Sequence, residues 1–95
     1  MTTLIATLED RTFRIALDSI QESPQGKDIV LRASAHQPDL EEGELTDVLF
    51  DLDEAALSIS GEGQALVQQG VAQGLVFTLF AGNGHSVEID SEQFR

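Results

Sequence analysis

Apolar and polar residues alternate along two stretches near the ends of this chain, and this alternation constrains the fold more than any other feature. In residues 3–8, and in residues 12–20 as far as Leu17, every second residue is apolar, and a short polar break separates the two stretches. A period of two is typical of strands that bury one face, so the pattern predicts a β-hairpin over residues 3–20. Its inward residues are predicted to be Leu4, Ala6, Leu8, Phe13, Ile15 and Leu17.

A second hairpin is predicted over residues 75–90. The run LVFTLFA at residues 75–81 is rich in strand-forming residues, and residues 85–90 alternate with Val87 and Ile89 inward. Between them, Asn83-Gly84 is a favoured pair for a two-residue type I′ turn.

A third strand is predicted over residues 28–35, with Ile29, Leu31, Ala33 and Ala35 inward. The polar loop before it, residues 21–27, contains Pro24 and Gly26. Because hairpins flank the chain at both ends, the pattern argues against a parallel α/β sheet.

The middle of the chain carries a dense acidic segment, residues 39–54, which reads DLEEGELTDVLFDLDE. Half of its residues are acidic and none is basic; the acids are Asp39, Glu41, Glu42, Glu44, Asp47, Asp51, Asp53 and Glu54. An apolar set runs through these acids: Leu40, Leu45, Val48, Leu49, Phe50 and Leu52. The segment is therefore expected to dock on a core while it presents a negative face to water.

Two interpretations of the backbone remain open within this segment. A helix over about residues 46–57, with Thr46 as N-cap, places an apolar stripe at steps of three and four, although Phe50 falls at its edge. A strand places Val48 and Phe50 inward and leaves Leu49 exposed. In both cases residues 56–60 are expected to begin a strand that ends at the turn of residues 61–63.

Residues 64–73 (QALVQQGVAQ) also allow two interpretations. They can form a short helix that ends just before Gly74. They can instead form two short strands around Gly70. In favour of the strands, a glycine inside a helix weakens it by about 1 kcal/mol relative to Ala.

Together these elements predict a single α+β domain over residues 1–95, mainly β. Its small antiparallel sheet is built from the hairpins at 3–20 and 75–90 plus strand 28–35, with short helices near 46–57 and 64–73. The alternative is an all-β sandwich or barrel. The apolar fraction of 41% is ordinary for a globular protein of this class.

The net charge of −12 is unevenly distributed. Residues 33–94 hold twelve acids and no Lys or Arg. Such a chain is expected to repel phosphates, so we expect no direct binding to nucleic acid or to an anionic membrane. A partner protein with a basic surface is compatible with this charge, and so is a solubilising role or a general adaptation to salt.

Catalytic chemistry finds little support in the residue types. The chain has no Cys, and its only His are His36 and His85. His85 and Ser86 are neighbours in a predicted strand, so their side chains are expected to point to opposite faces. Neither of the glycine-containing turns, residues 61–63 and 82–84, resembles a phosphate-binding loop. The sequence therefore predicts a protein that is not an enzyme and uses no cofactor.

Oxygen ligands for Ca²⁺ are a further alternative. Carboxylates at short spacing are offered by Asp51, Asp53 and Glu54, or by Asp39, Glu41, Glu42 and Glu44. An EF-hand loop needs Gly at its sixth position, and counting from Asp39 that position is Glu44, so no specific metal site is predicted.

The run at 75–81 is apolar on both faces, which raises the question of what covers its second face. One interpretation is a homodimer with Val76, Phe80 and Phe94 at its interface. The other is a central strand covered by the acidic segment or by residues 64–73. Phe94 is expected either to fold back on the core or to join such an interface.

The leading functional prediction is a non-enzymatic interaction module that presents a negative face, centred on residues 39–54, to a basic partner protein. It would act as an adaptor, an inhibitor or an assembly factor. A sharper alternative is an inhibitor that mimics nucleic acid, such as a phage anti-defence protein. That idea depends on a helix that places Asp47, Asp51 and Glu54 in one row. The first residues contain no signal-peptide pattern, so a cytoplasmic location is expected.

Overall fold

Six strands and two α-helices are present in a computed structural model that describes residues 2–41, 43–82 and 84–94. The strands are β1 (Thr2–Leu8), β2 (Arg11–Glu22), β3 (Asp28–Ala33), β4 (Ala56–Ser60), β5 (Val76–Gly82) and β6 (His85–Ile89). The helices are α1 (Glu44–Leu49) and α2 (Gln64–Ala72), and two 3₁₀-helices span Leu52–Glu54 and Ser91–Gln93.

The six strands form one sheet in the order β4-β1-β2-β3-β5-β6. Every neighbouring pair is antiparallel except β3 and β5, which are parallel. The prediction of an α+β domain, mainly β, is confirmed, whereas the sandwich or barrel alternative does not describe this single open sheet. The parallel pair was not expected, because it joins segments that no local pattern connects.

Both predicted hairpins are present. In the first, Leu8 pairs with Arg11 across the turn, and Leu4 pairs with Ile15. In the second, Gly82 pairs with His85. Asn83 of the predicted type I′ turn lies outside the described residues.

One face of the sheet carries the core. Its buried residues come from alternate positions of all six strands: Leu4, Ala6, Phe13, Ile15, Leu17, Ile29, Leu31, Leu57, Ile59, Phe77, Leu79 and Ile89. The helical segments cover this face with Val48, Leu49, Leu52 and Val67. The predicted inward residues of the first hairpin are therefore confirmed, apart from Leu8, which is only half-buried at the end of β1.

Residues 64–73 form a helix, so the alternative of two short strands is wrong. A glycine lies inside this helix because α2 packs very close to the sheet. A Cβ atom at Gly70 would lie 2.9 Å from Cζ of Phe77 and 3.0 Å from Cγ1 of Ile29. Packing against the sheet therefore outweighs the weak helix propensity of glycine.

The acidic segment begins a helix but does not continue it. Helix α1 ends at Leu49 and the 3₁₀-helix follows at residue 52, so the expected helix over about 46–57 is shorter in the structure. Thr46 as N-cap is wrong: the N-cap is Gly43, with φ 85° and no side-chain hydrogen bond. Strand β4 occupies residues 56–60 as expected.

Strand β3 ends two residues earlier than predicted, and Ala35 is exposed rather than inward. The side chain of Gln37 takes over the pairing with β2 at that point. Its Oε1 accepts from the backbone N–H of Ala16 at 2.8 Å, and its Nε2 donates to the carbonyl of Ala16 at 2.9 Å. The backbone N–H of Ser34 also donates to the carbonyl of Ala16, and Nε2 of Gln37 donates to the carbonyl of Ser34, so this amide group bridges β2 and the residue that follows β3.

The C-terminal residues fold back onto the core. Phe94 forms an isolated parallel bridge with Leu57 of β4, and its ring centroid lies 4.4 Å from that of Phe77. Gln93 donates through Nε2 to the carbonyls of Leu52 and Ala55, at 2.6 Å and 3.0 Å. The tail therefore ties the end of the acidic segment to the sheet.

No helix among residues 2–41, 43–82 and 84–94 is long and apolar enough to cross a membrane.

Candidate functional site

The acidic segment lies in the layer that covers the core face, and most of its carboxylates are exposed. The exposed acids are Asp39, Glu41, Asp47, Asp51, Asp53 and Glu54, while Glu44 is half-buried. Glu42 lies outside the described residues. The apolar residues of the segment explain this arrangement, because Val48, Leu49 and Leu52 are buried and hold the chain against the sheet.

Two arginines of β2 pair with carboxylates of the segment. Nε of Arg14 lies 3.4 Å from Oδ2 of Asp39, and Nη2 of Arg11 lies 3.9 Å from Oε1 of Glu44. All four side chains are at least one-third exposed, so each pair contributes little to stability. In the part of the chain that the structure describes, Glu41, Asp47, Asp51, Asp53 and Glu54 have no ion-pair partner.

The row of acids expected for a nucleic-acid mimic does not lie on one helix. Asp47 belongs to α1, Asp51 to the turn that follows it, and Glu54 to the 3₁₀-helix. Helical spacing across all three residues requires an unbroken helix, and α1 ends at Leu49. The mimicry hypothesis therefore lacks the geometry on which it was based.

The calcium alternative finds no ligand set among the described residues. Within 2–41, 43–82 and 84–94, no group of three His, Asp or Glu side chains is placed to hold a metal ion.

Phe50 is the unexpected feature of the acidic segment. It lies between α1 and the 3₁₀-helix, and 77% of its surface is exposed. Neither sequence interpretation predicted so much exposure, because the strand interpretation placed it inward and the helix interpretation placed it at the edge of the apolar stripe. The short helix turns its side chain away from the sheet.

A small depression of about 220 Å³ lies beside Phe50. Its walls come from α1 and the following turn on one side, including Leu49, Phe50 and Asp53, and from His85, Ser86 and Val87 of β6 on the other. His85 and Ser86, which the alternation placed on opposite faces, are both exposed here.

A second depression, of about 430 Å³, lies along the other half of β6. It is lined by Glu88 and Ile89 of β6 and by Asp90 after them, together with Leu75 and Val76 where β5 begins. Asp53 lines both depressions.

The residues predicted for a dimer interface do not lie together. Val76 and Phe80 are on the open face of the sheet, 46% and 36% exposed. Phe94 packs against Phe77 on the core face, where it contributes to the fold. Arg32 partly covers Phe80, with its guanidinium carbon 5.2 Å from the ring centroid.

A cleft of about 520 Å³ lies between α2 and β4, and none of the described residues that line it is charged. Ile59, Val67, Val71 and Phe94 form its apolar walls, and Gln64 and Gln68 add polar groups. It therefore has no relation to the charge that distinguishes this sequence.

Comparisons of this chain with models of protein families, with curated proteins and with solved structures found no match.

Proposed function

We propose that this protein is a non-enzymatic interaction module that presents the acidic segment, residues 39–54, to a partner protein with a basic surface. The observation that carries this proposal is an exposed aromatic side chain, Phe50, beside carboxylates of residues 47–54 that have no ion-pair partner among the described residues. Aromatic residues are enriched at protein interfaces, and complementary charge steers the encounter of two proteins.

The charge of the segment is more than the fold requires. In the part of the chain that the structure describes, only Asp39 and Glu44 pair with arginines, and both pairs are exposed. The carboxylates of Asp47, Asp51, Asp53 and Glu54 form no ion pair there, and like charges at such short sequence separation are expected to repel one another. Binding of a basic surface would relieve that repulsion, so the partner is expected to carry clustered Lys or Arg.

Two variants of equal charge can test the proposal. The face variant replaces Asp47, Asp51 and Asp53 by Asn and Glu54 by Gln. The control variant replaces Glu9, Glu22, Glu62 and Glu92, all exposed and outside the segment, by Gln. Each variant loses four of the twelve net negative charges, so overall charge is matched.

The measurement is affinity capture from an extract of the source organism, at low and at high salt. We expect one or a few proteins to be captured at low salt by the wild type and by the control variant, and to be lost with the face variant. Binding of such a protein should weaken steeply as salt rises, because exposed charges are screened within about 10 Å at 0.1 M salt. Equal capture by the face and control variants would contradict the proposal.

A further inference from the structure

The position of β6 at the end of the sheet leaves one of its edges without a strand. Strand order places β5 on one side of β6 and no strand on the other within the described residues. At the opposite end of the sheet, the free side of β4 is already bridged by Phe94 through Leu57. An open edge offers backbone N–H and C=O groups that an extended segment of another protein can pair with.

Two depressions lie near this strand. One borders His85, Ser86 and Val87 where β6 begins, and the other borders Glu88, Ile89 and Asp90 where β6 ends, together with residues 74–76 at the start of β5. Helix α1 and the segment after it form the other wall of the first depression, and the exposed ring of Phe50 lies on that wall. A strand beside a helix, with shallow depressions for alternate side chains, is the geometry in which added strands are recognised.

The charge of this edge indicates which strand it would accept. Among the described residues that line the two depressions, the acids are Asp53, Glu88 and Asp90, and none is Lys or Arg. A second copy of this chain would bring its own acids and a net charge of −12 against them. Like charges on paired strands are destabilising, whereas opposite charges stabilise the pair.

We infer that the free edge of β6 takes an extended, Lys- or Arg-rich segment of a partner protein as an additional strand. Phe50 receives one of its basic or apolar side chains, and Asp53, Glu88 and Asp90 receive others. This inference rests on the proposed function, since it assigns to the basic partner a backbone conformation and a place on the sheet.

The test uses the full-length protein and a fluorescein-labelled peptide of nine residues that alternates Lys and Val. A twin peptide carries backbone N-methyl groups on two consecutive central residues. Consecutive residues of a strand direct their N–H groups to opposite edges, so both edges of the twin are blocked while its charge and side chains are kept.

We expect the unmodified peptide to bind and the twin to bind at least about tenfold more weakly, because the methyl groups remove ladder hydrogen bonds and obstruct pairing. Hydrogen exchange should slow at outward-facing amides of residues 85–89 when the unmodified peptide is present. Phe50→Ala should weaken binding by about fivefold through loss of the ring. Ser60→Ala, in β4 at the other end of the sheet, should leave the affinity unchanged.

The outcomes separate the two proposals. Equal affinity for both peptides would overturn the strand addition and leave the acidic interaction module standing. Binding of neither peptide, together with equal capture by the face and control variants, would overturn both. If the protein without peptide is a dimer and its amides at residues 85–89 are protected from exchange, then a second copy occupies the edge. That result would overturn this inference.

Discussion

Glu9 occupies a backbone conformation that side chains rarely adopt. It is the first residue of the two-residue turn between β1 and β2, and its φ is 55°. It is the one residue other than glycine with positive φ in the part of the chain described. The left-handed region is unfavourable by about 1–2 kcal/mol for an L-residue with a side chain, so this turn carries strain.

Glu9→Gly is therefore expected to raise the free energy of unfolding by about 0.5–1 kcal/mol, because relief of strain exceeds the greater flexibility of glycine in the unfolded chain. Chemical denaturation measures the change. Asp10→Gly is the matched control, since Asp10 has no positive φ and the substitution adds only flexibility. It should lower stability by about 0.5–1 kcal/mol. Equal losses in both variants would show that the turn is not strained.

At the scale of elements, the contact between α2 and the sheet depends on the missing side chain at Gly70. Phe77 and Ile29, the residues that a Cβ atom would meet, are both fully buried and cannot move into solvent. Helix propensity predicts that an alanine at this position raises the stability of the protein, whereas packing predicts that it lowers it. A measurement of stability shows which effect is larger.

Gly70→Ala is expected to lower the free energy of unfolding by about 1–2 kcal/mol. Alanine favours the helix by about 1 kcal/mol, but crowding in a packed core costs about 1–3 kcal/mol and exceeds that gain when a rigid ring lies in the way. Gln69→Ala, an exposed neighbour in α2, serves as control and should change stability by less than about 0.5 kcal/mol. A more stable Gly70→Ala variant would mean that α2 can shift away from the sheet.

The same scale shows how the acidic segment is kept in place. Its helix α1 has only six residues and no side-chain cap, so it has little stability of its own. Burial of Val48, Leu49 and Leu52 holds the acidic segment against the sheet. The two hydrogen bonds from Gln93 hold the C-terminal end of the segment. Tertiary contacts, rather than an independently stable helix, therefore determine the positions of the exposed carboxylates.

For the whole molecule, the net charge of −12 on 95 residues is expected to oppose folding. Compaction brings the acids closer than they are in the unfolded chain, and only two exposed ion pairs are present among the described residues to offset this. Added salt screens such repulsion at separations beyond the Debye length, which shortens from about 30 Å at 0.01 M to about 3 Å at 1 M.

The melting temperature is therefore expected to rise with NaCl by about 4–8 °C, which corresponds to about 1 kcal/mol for a domain of this size. Differential scanning calorimetry provides the measurement, and chloride is preferable to sulfate, which also strengthens apolar burial. The face variant, with four fewer acids, should show a smaller rise. A melting temperature that falls with salt would mean that the arginine pairs outweigh the repulsion.

Local patterns were sufficient for much of the fold. Alternation identified both hairpins and their buried residues, because side chains of a strand necessarily point to opposite faces in turn. Alternation also identified β3, although it could not show that the side chain of Gln37 bridges Ala16 and Ser34 at the end of that strand. The helix at residues 64–72 was one of two interpretations, and only its packing on Phe77 and Ile29 explains the glycine within it.

The sequence by itself determined the strands of the hairpins, the mainly β class and the charge of the acidic segment, because these follow from neighbours along the chain. Tertiary structure alone decided the parallel pairing of β3 with β5, the early end of α1, the exposure of Phe50 and the free edge of β6. Each of these depends on which distant segments share one core. A helix continues only while its apolar stripe faces the sheet. The sheet therefore determined where α1 ends and where the exposed acids lie.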